Sequence, residues 1–266
     1  MADKRAARMV LDDLGTESGE LDALVAGLDE DGWRLPTPAP RWTVAHQIAH
    51  LAWTDRQALM AVTDPEAFAE ETRRAWKRID TYVDEGADEG AARPAAELLR
   101  TWREGRTALW DVLGGLPDGV RFPWFGPPMG VAAMATGRLM ETWAHGQDVA
   151  DTLGVRREPT ARLRHVVRIG VRARDYAFTV RGLTPPAQEF RVELTAPDGE
   201  VWAYGPPEAE QRVTGPAVDF CQLATQRRHR ADLALRAQGP DAEQWLEIAQ
   251  AFAGPPGAGR APGGAA

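Results

Sequence analysis

The sequence is poor in cysteine, contains no long hydrophobic run and has no excess of basic charge. Its 266 residues include one cysteine, Cys221, so no intrachain disulfide can form and a reducing, cytoplasmic environment is expected. No run of about 18 apolar residues occurs, which predicts no membrane-spanning helix. The formal net charge of −8 argues against a general binder of nucleic acid or anionic membranes. The charged N-terminus lacks the apolar stretch of a signal peptide, which also favours a cytoplasmic location.

The remaining composition is that of a globular protein with a sizeable core. Hydrophobic residues make up 44% of the chain and charged residues 26%, both ordinary for a folded domain. Tryptophan is more frequent than usual, with ten residues spread along the chain. Core packing is the simplest role for most of these rings.

Periodic apolar residues and capping signals predict a helical first part of the chain. The expected helices cover about residues 4–30, 43–62, 64–86, 94–114, 129–153 and 159–181. The segment LPDGVRFPWFGPPMG, between the fourth and fifth helices, is rich in proline and glycine and predicts a loop without regular structure.

After residue 184 the pattern changes to alternating apolar and polar residues. EFRVELTAPDGEVWAYG alternates around a Pro-Asp-Gly turn and predicts a β-hairpin. A strand leading into a helix at Pro216, a further strand and a last helix follow. We therefore expect an α+β protein with a helical domain over 1–183, a small α+β domain over 184–254 and a flexible tail over 255–266.

Two pairs of candidate metal ligands occur on two of the predicted helices. WTVAHQIAHL carries His46 and His50, and RLMETWAHGQD carries Glu141 and His145; each pair is four residues apart and shares a helix face. If the two helices are neighbours in a bundle, these side chains converge in its core. Imidazole and carboxylate donors suit zinc, iron, nickel or manganese, and three protein ligands would leave one position open. The alternative is that the histidines are buried polar residues hydrogen-bonded within the bundle.

WTVAHQIAHL together with ETWAHGQDVAD resembles the DinB-like superfamily and, within it, the mycothiol-dependent maleylpyruvate isomerase family. The resemblance implies a DinB-like bundle of the four-helix type with extra helices, followed by a small, sterol-carrier-like α+β domain. It implies that His50, Glu141 and His145 bind the metal, with zinc, or another divalent ion, expected. His46 stands where that family usually has an aspartate. The C-terminal region looks like an actinobacterial subgroup described only as metal-binding.

The same resemblance implies an enzyme that uses the small thiol mycothiol as cosubstrate, as an isomerase or S-transferase on a small electrophile. We expect His46 to orient a ligand or a bound water, or to act as an optional fourth donor, and Asp148 to orient the site likewise; the alternative for Asp148 is a solvated helix charge. Arg138 faces roughly the same side as Glu141 and is a candidate to bind a substrate carboxylate; the alternative is a salt bridge to a neighbouring helix. Three aromatic residues are candidates for the cofactor-binding wall, namely Trp124, Phe125 and Trp143; Trp124 and Phe125 could instead plug the bundle end.

Two rival functions stay open at this point. Two histidines and one carboxylate also bind ferrous iron in oxygenases, and the chain could be a non-catalytic ligand-binding module. The basic run QRRHRAD at 226–232 is too short to indicate RNA binding in an acidic chain. The expected partners are therefore a small-molecule thiol and an electrophilic substrate, without nucleic acid or membrane, in a monomer or homodimer.

Overall fold

Amphipathic helices occupy the first part of the chain, as the apolar spacing predicts. The computed structural model describes residues 2–263, and these residues group into two compact units, Met1–Arg156 and Arg157–Ala266. In the first unit the described elements are α1 (Ala2–Val25), α2 (Glu30–Trp33), α3 (Val44–Thr63), α4 (Pro65–Lys77), α5 (Tyr82–Ala91), α6 (Ala95–Gly115), β1 (Arg121–Phe122), β2 (Met129–Gly130) and α7 (Val131–Leu153).

The core of the first unit lies between its long helices, because each presents one apolar stripe. One cluster joins α1, α3 and α6 through side chains that include Leu21, Ile48 and Trp102. The helices α1 and α6 are also linked by charge, since Asp22 accepts hydrogen bonds from Arg103 and Arg106 at 2.5–2.8 Å. The bond from Arg103, helped by Arg106, lowers the pKa of Asp22 despite its burial.

The second unit combines a four-stranded sheet with helices. Its described elements are α8 (Leu163–Arg172), α9 (Arg174–Thr179), β3 (Phe190–Thr195), β4 (Val201–Tyr204), β5 (Gln211–Pro216), α10 (Ala217–Ala224), a 3-10 turn (Arg230–Asp232), β6 (Arg236–Gln238) and α11 (Pro240–Ile248). The strand order is β4-β3-β5-β6, with β3 and β5 parallel and the other pairs antiparallel. The Trp245 ring packs on Phe190 and Phe220 in the core of this unit, where Cys221 is also buried.

The α+β fold class and the β-hairpin are confirmed. The turn of the hairpin places Gly199 at a φ of +88°, where glycine is favoured, and the Ala196 amide donates to the carbonyl of Glu200. The division between the two units follows Arg156, so the predicted boundary after residue 183 lies inside the second unit, which contains α8 and α9. Of the predicted tail, residues 264–266 lie outside the described residues, and the amide of Gly263 donates to the Asp232 carboxylate.

Several predicted element boundaries are wrong. The first helix ends at Val25 instead of residue 30, and the helix expected over 64–86 is broken between α4 and α5. The helix expected over 159–181 is likewise divided into α8 and α9. The proline-rich loop contains the short antiparallel pair β1–β2. None of the helices within residues 2–263 is long and apolar enough to cross a membrane.

The break between α4 and α5 has a tertiary cause. Tyr82 begins α5, donates its hydroxyl to Glu71 at 2.7 Å and packs edge-on against Trp53 of α3. Two glycines of α5 allow a close approach to α3, because Gly86 faces the ring of Trp53 and Gly90 faces Ala49. Because of this packing, α5 does not continue α4 but lies along α3, the helix that carries His50.

Candidate metal centre

The helices α3 and α7 bring three candidate ligands together in the interior of the first unit. His50 comes from α3, and Glu141 and His145 come from α7, one turn apart. The Oε2 atom of Glu141 lies 3.5 Å from Nε2 of His50 and 3.2 Å from Nε2 of His145. One ligand atom from each residue lies within 4.8 Å of the others. The convergence expected from the two helical motifs is therefore present in the fold.

The spacing of these atoms fits a small divalent cation. Zinc binds imidazole nitrogen and carboxylate oxygen at about 2.0–2.2 Å in tetrahedral sites, which separates neighbouring ligand atoms by about 3.3 Å. Both measured separations lie close to this value. The two histidines are buried, whereas the Glu141 side chain keeps 23% of its surface exposed. A site built from these three residues is thus closed on the histidine sides and accessible beside the carboxylate.

The charge state of Glu141 also suits a cation. Burial raises the pKa of this carboxyl, but hydrogen bonds from His145 and His50 together with their charge outweigh burial and hold the pKa well below its ordinary value. The carboxylate is therefore ionised at neutral pH. It supplies the one negative charge among the three side chains, as a dipositive ion in a buried site requires.

His145 is oriented by a residue of the opposite helix. Its Nδ1 atom lies 2.5 Å from Oε1 of Gln47, which is fully buried on α3. The second ring nitrogen is thereby directed at Glu141, in the manner of the outer hydrogen bonds that orient metal-binding histidines. Nδ1 of His50 is buried without a hydrogen-bond partner among the described residues, so the orientation of this ring comes from packing.

Trp42 covers the histidine side of the centre. Its ring centroid lies 5.3 Å from that of His50 and 5.8 Å from that of His145, and its plane is inclined by 21° to the His145 ring. The indole Nε1 donates to Asp84 of α5 at 3.0 Å. The preceding residue, Arg41, has a φ of +68°, a conformation that side chains other than glycine rarely adopt. The backbone is thus bent sharply where it presents the indole.

The structure places His46 at the start of α3, with both ring nitrogens engaged outside the ligand group. Nδ1 accepts from the Thr43 amide at 3.2 Å and lies 2.7 Å from its hydroxyl, which completes a capping box. Nε2 lies 3.2 Å from Asp88 of α5. The His46 ring stacks on Trp42, with 6.5 Å between the two centroids, and Trp42 in turn contacts both ligand histidines.

The other two predicted polar residues are both buried on α7. Asp148 lies one turn beyond His145 and is 2% exposed, so it is not a solvated helix charge. Arg138 is 3% exposed and its Nε donates to Asp55 of α3 at 2.8 Å. Its Nη2 is buried without a hydrogen-bond partner among the described residues. Arg138 therefore forms the salt bridge to a neighbouring helix that was the alternative to a substrate-binding role.

The predicted aromatic residues occupy three different places. Phe125 packs on Tyr82, which packs on Trp53, whose ring centroid lies 6.1 Å from that of His50. Trp124 lies one step further away, because its ring stacks on Phe68 at 5.7 Å and meets Phe125 edge-on. Trp143 is buried two residues from both Glu141 and His145, a spacing that puts it on another face of α7.

Three contributors to the site were not found from the sequence: Gln47, Trp42 and Asp84. Gln47 precedes His50 by three residues and so shares its helix face, which is a usable sequence signal. Trp42 adjoins the histidine motif but precedes the helix, and Asp84 contacts it from 42 residues away. Neither of these two contacts has a local sequence signal.

Comparison with known proteins identifies two family matches and two similar sequences. Residues 14–150 match the family described as mycothiol maleylpyruvate isomerase N-terminal domain, and residues 186–238 match one described as wyosine base formation. Two uncharacterised proteins from two strains of Mycobacterium tuberculosis are each 59% identical over 248 residues, covering 93% of this chain and 96% of theirs.

Two crystal structures share the fold. They are the mycothiol-dependent maleylpyruvate isomerase, with a TM-score of 0.60, and a histidine-to-alanine mutant of it, with a TM-score of 0.61. Each is 14% identical in sequence, and the alignments cover 88% of this chain and 95% of those chains. At this identity the likeness is one of fold.

Proposed function

Because the chain belongs to the mycothiol maleylpyruvate isomerase N-terminal domain family, we propose that it is a zinc-dependent enzyme that uses mycothiol as a cosubstrate. The reaction class is isomerisation, or transfer of the thiol, on a small electrophilic substrate. The metal ligands in this proposal are His50, Glu141 and His145. The observation that carries it is the convergence of their three ligand atoms within 4.8 Å at the core of the helical unit.

The three side chains supply the donor set that such an enzyme needs. A zinc ion held by two imidazoles and one carboxylate keeps a bound thiol deprotonated at neutral pH and polarises carbonyl oxygens. Glu141 is ionised and partly exposed, so the open side of the site adjoins this residue. His50 and His145 are shielded from solvent, which strengthens every charge interaction in the site.

Aromatic side chains bound the space in which the substrates would lie. Trp42 and Trp53 contact the ligand rings directly, and Phe125 extends this apolar surface through Tyr82. We assign Phe125 to the binding wall and Trp124 to its support through Phe68. Trp143 packs behind the ligand helix. Rings at these positions exclude water from a reactive thiolate while leaving the carboxylate side open.

The polar residues have distinct proposed roles. The free Nη2 of Arg138 is the atom that could bind a substrate carboxylate, while its Nε holds Asp55. His46 fixes the start of the ligand helix, as a positioning residue. Asp148 is buried one turn beyond His145 on the same face of α7, where it would orient that ligand.

Metal analysis and thiol titration test this function together. Protein purified without added metal is analysed for zinc and iron and then titrated with mycothiol. We expect about one zinc per chain. Adding mycothiol should produce an absorption change that requires this zinc. In His50→Ala and Glu141→Gln the metal should be lost, whereas His229→Ala, a histidine that caps the turn at 230–232, serves as the matched control and should retain it.

The same samples separate the two reaction classes and the rival chemistry. With maleylpyruvate as the probe electrophile, an isomerase leaves the free thiol concentration unchanged, whereas a transferase consumes one thiol per product. Stoichiometric iron with oxygen-dependent turnover would favour the oxygenase alternative. Metal binding without any mycothiol binding would exclude both thiol-dependent reactions, and full metal content in both ligand variants would refute the ligand assignment.

A further inference from the structure

A buried chain of hydrogen bonds connects a metal ligand to the backbone loop beneath Trp42. His145 Nδ1 contacts Gln47 Oε1 at 2.5 Å, and Gln47 Nε2 donates to Thr37 Oγ1 at 2.9 Å. The Thr37 hydroxyl in turn donates to the carbonyl oxygen of Trp42 at 2.8 Å. The chain therefore runs from α7 through α3 to the loop of residues 36–43.

The direction of each bond in this chain follows from its last member. A carbonyl oxygen can only accept, so the Thr37 hydroxyl proton points at Trp42 and the hydroxyl oxygen must accept from Gln47. The Gln47 amide is thereby fixed with its NH2 group towards Thr37 and its oxygen towards His145. An amide oxygen only accepts, so Nδ1 of His145 carries the proton. Nε2, which donates to Glu141 in this structure, is then the ring nitrogen left to bind a metal ion, which would displace its proton.

We propose that Gln47 is a positioning residue that selects the metal-binding tautomer of His145, and that Thr37 sets the orientation of Gln47. The inference rests on the proposed metal centre, which it extends to two residues that do not bind the metal. Gln47 is fully buried and its two polar atoms are both engaged in the chain. The same residue thus couples the ligand to the loop that presents the Trp42 ring.

Metal affinity measured by competition with a chromophoric chelator tests this role without any substrate. We expect Gln47→Leu to weaken zinc binding about 10–100-fold, as loss of an outer hydrogen bond to a metal-binding histidine does. Gln47→Glu keeps an acceptor for Nδ1 and should restore wild-type affinity. Thr37→Val removes the acceptor that orients the amide, so it should weaken binding although Thr37 touches no ligand.

A matched control lies on the same helix. Gln57 is also buried on α3, at 1% exposure, and Gln57→Leu should leave zinc affinity unchanged.

The visible absorption spectrum of the cobalt-substituted protein gives a second readout. The spectrum should change in Gln47→Leu and return to that of the wild type in Gln47→Glu. Thermal unfolding of the metal-free variants identifies any that do not fold; Gln47→Asn, which withdraws the amide by one methylene group, then replaces Gln47→Leu.

Each outcome bears on a different statement. Wild-type affinity in folded Gln47→Leu or Gln47→Asn would overturn the positioning role, as would equal losses in Gln47→Leu and Gln57→Leu. Unchanged affinity in Thr37→Val would refute the part assigned to Thr37. Failure of the wild-type protein to bind zinc or cobalt would instead refute the metal centre on which the inference rests.

Discussion

At the scale of single residues, α3 and α7 bury charge at two neighbouring places. The ligand group is one, and the ion pair between Asp55 and Arg138, with 2.8 Å between Oδ1 and Nε, is the other. Arg138 precedes Glu141 by three residues, and both members of the pair are more than nine-tenths buried. A buried ion pair adds little net stability, but each partner becomes costly once the other is removed. The pair therefore constrains how the two ligand helices can pack.

Replacement of Arg138 by methionine should reveal this constraint. Burial raises the pKa of Asp55, against the opposing attraction of Arg138. Without the guanidinium the carboxylate is uncompensated, and we expect the free energy of unfolding to fall by about 3–5 kcal/mol at pH 7. Urea denaturation measures this loss, and Arg138→Met combined with Asp55→Leu should recover most of it.

The pH dependence of the Arg138→Met variant has a defined sign. The pKa of Asp55 is higher in the folded than in the unfolded state, so its protonation adds to the free energy of unfolding. This contribution is complete below the unfolded pKa of about 3.9 and is lost as pH rises through the folded pKa. Arg138→Met raises the folded pKa further, so its deficit relative to wild type should shrink as pH falls from 7 to 5. A deficit that is constant with pH would point to lost packing instead of an uncompensated charge.

At the scale of secondary-structure elements, short sequence patterns predicted the helix starts and turns that depend on neighbouring residues. Apolar spacing and capping signals indicated a helix beginning near residue 43, and the Pro-Asp-Gly turn indicated the β3–β4 hairpin; the structure confirms both. The break between α4 and α5 contains neither proline nor glycine and arises from the packing of Tyr82 on Trp53. Likewise, the contact of Gln47 with His145 joins residues 98 apart, so it depends on which helices become neighbours.

The close packing of α5 against α3 gives an element-scale prediction. A Cβ atom at Gly90 would lie 2.7 Å from Cβ of Ala49, the residue before His50. Because the neighbouring atom belongs to a helix core and cannot yield freely, Gly90→Ala should cost about 1–3 kcal/mol of unfolding free energy. Gly105→Ala on α6, where a Cβ meets nothing within 4 Å, should instead gain about 0.4–1 kcal/mol. If chemical denaturation finds Gly90→Ala as stable as Gly105→Ala, α5 does not pack as closely as described.

At the scale of the whole molecule, the fold is shared far more widely than the sequence. The chain matches the fold of the isomerase over 88% of its length at 14% identity, while the uncharacterised relatives at 59% identity match it over 93%. At this identity the likeness is one of fold, and the chemistry depends on individual side chains. The ligand motifs could be recognised in the sequence because each lies within one helix. The residues that cover the ligands could not, since Trp42 comes from the loop before α3 and its partner Asp84 from α5.

Linkage between metal binding and unfolding tests the ligand group at this scale. A ligand that binds only the folded chain raises its stability by about 2.7 kcal/mol when present at 100 times its dissociation constant. Zinc should therefore raise the thermal unfolding midpoint of the wild-type protein, and a chelator should reverse the shift. The shift should vanish in His50→Ala and persist in His229→Ala, because His229 belongs to the second unit and the ligand group to the first. An equal shift in both variants would mean that zinc stabilises the chain at some other place, and the buried histidines would then be structural residues of the bundle.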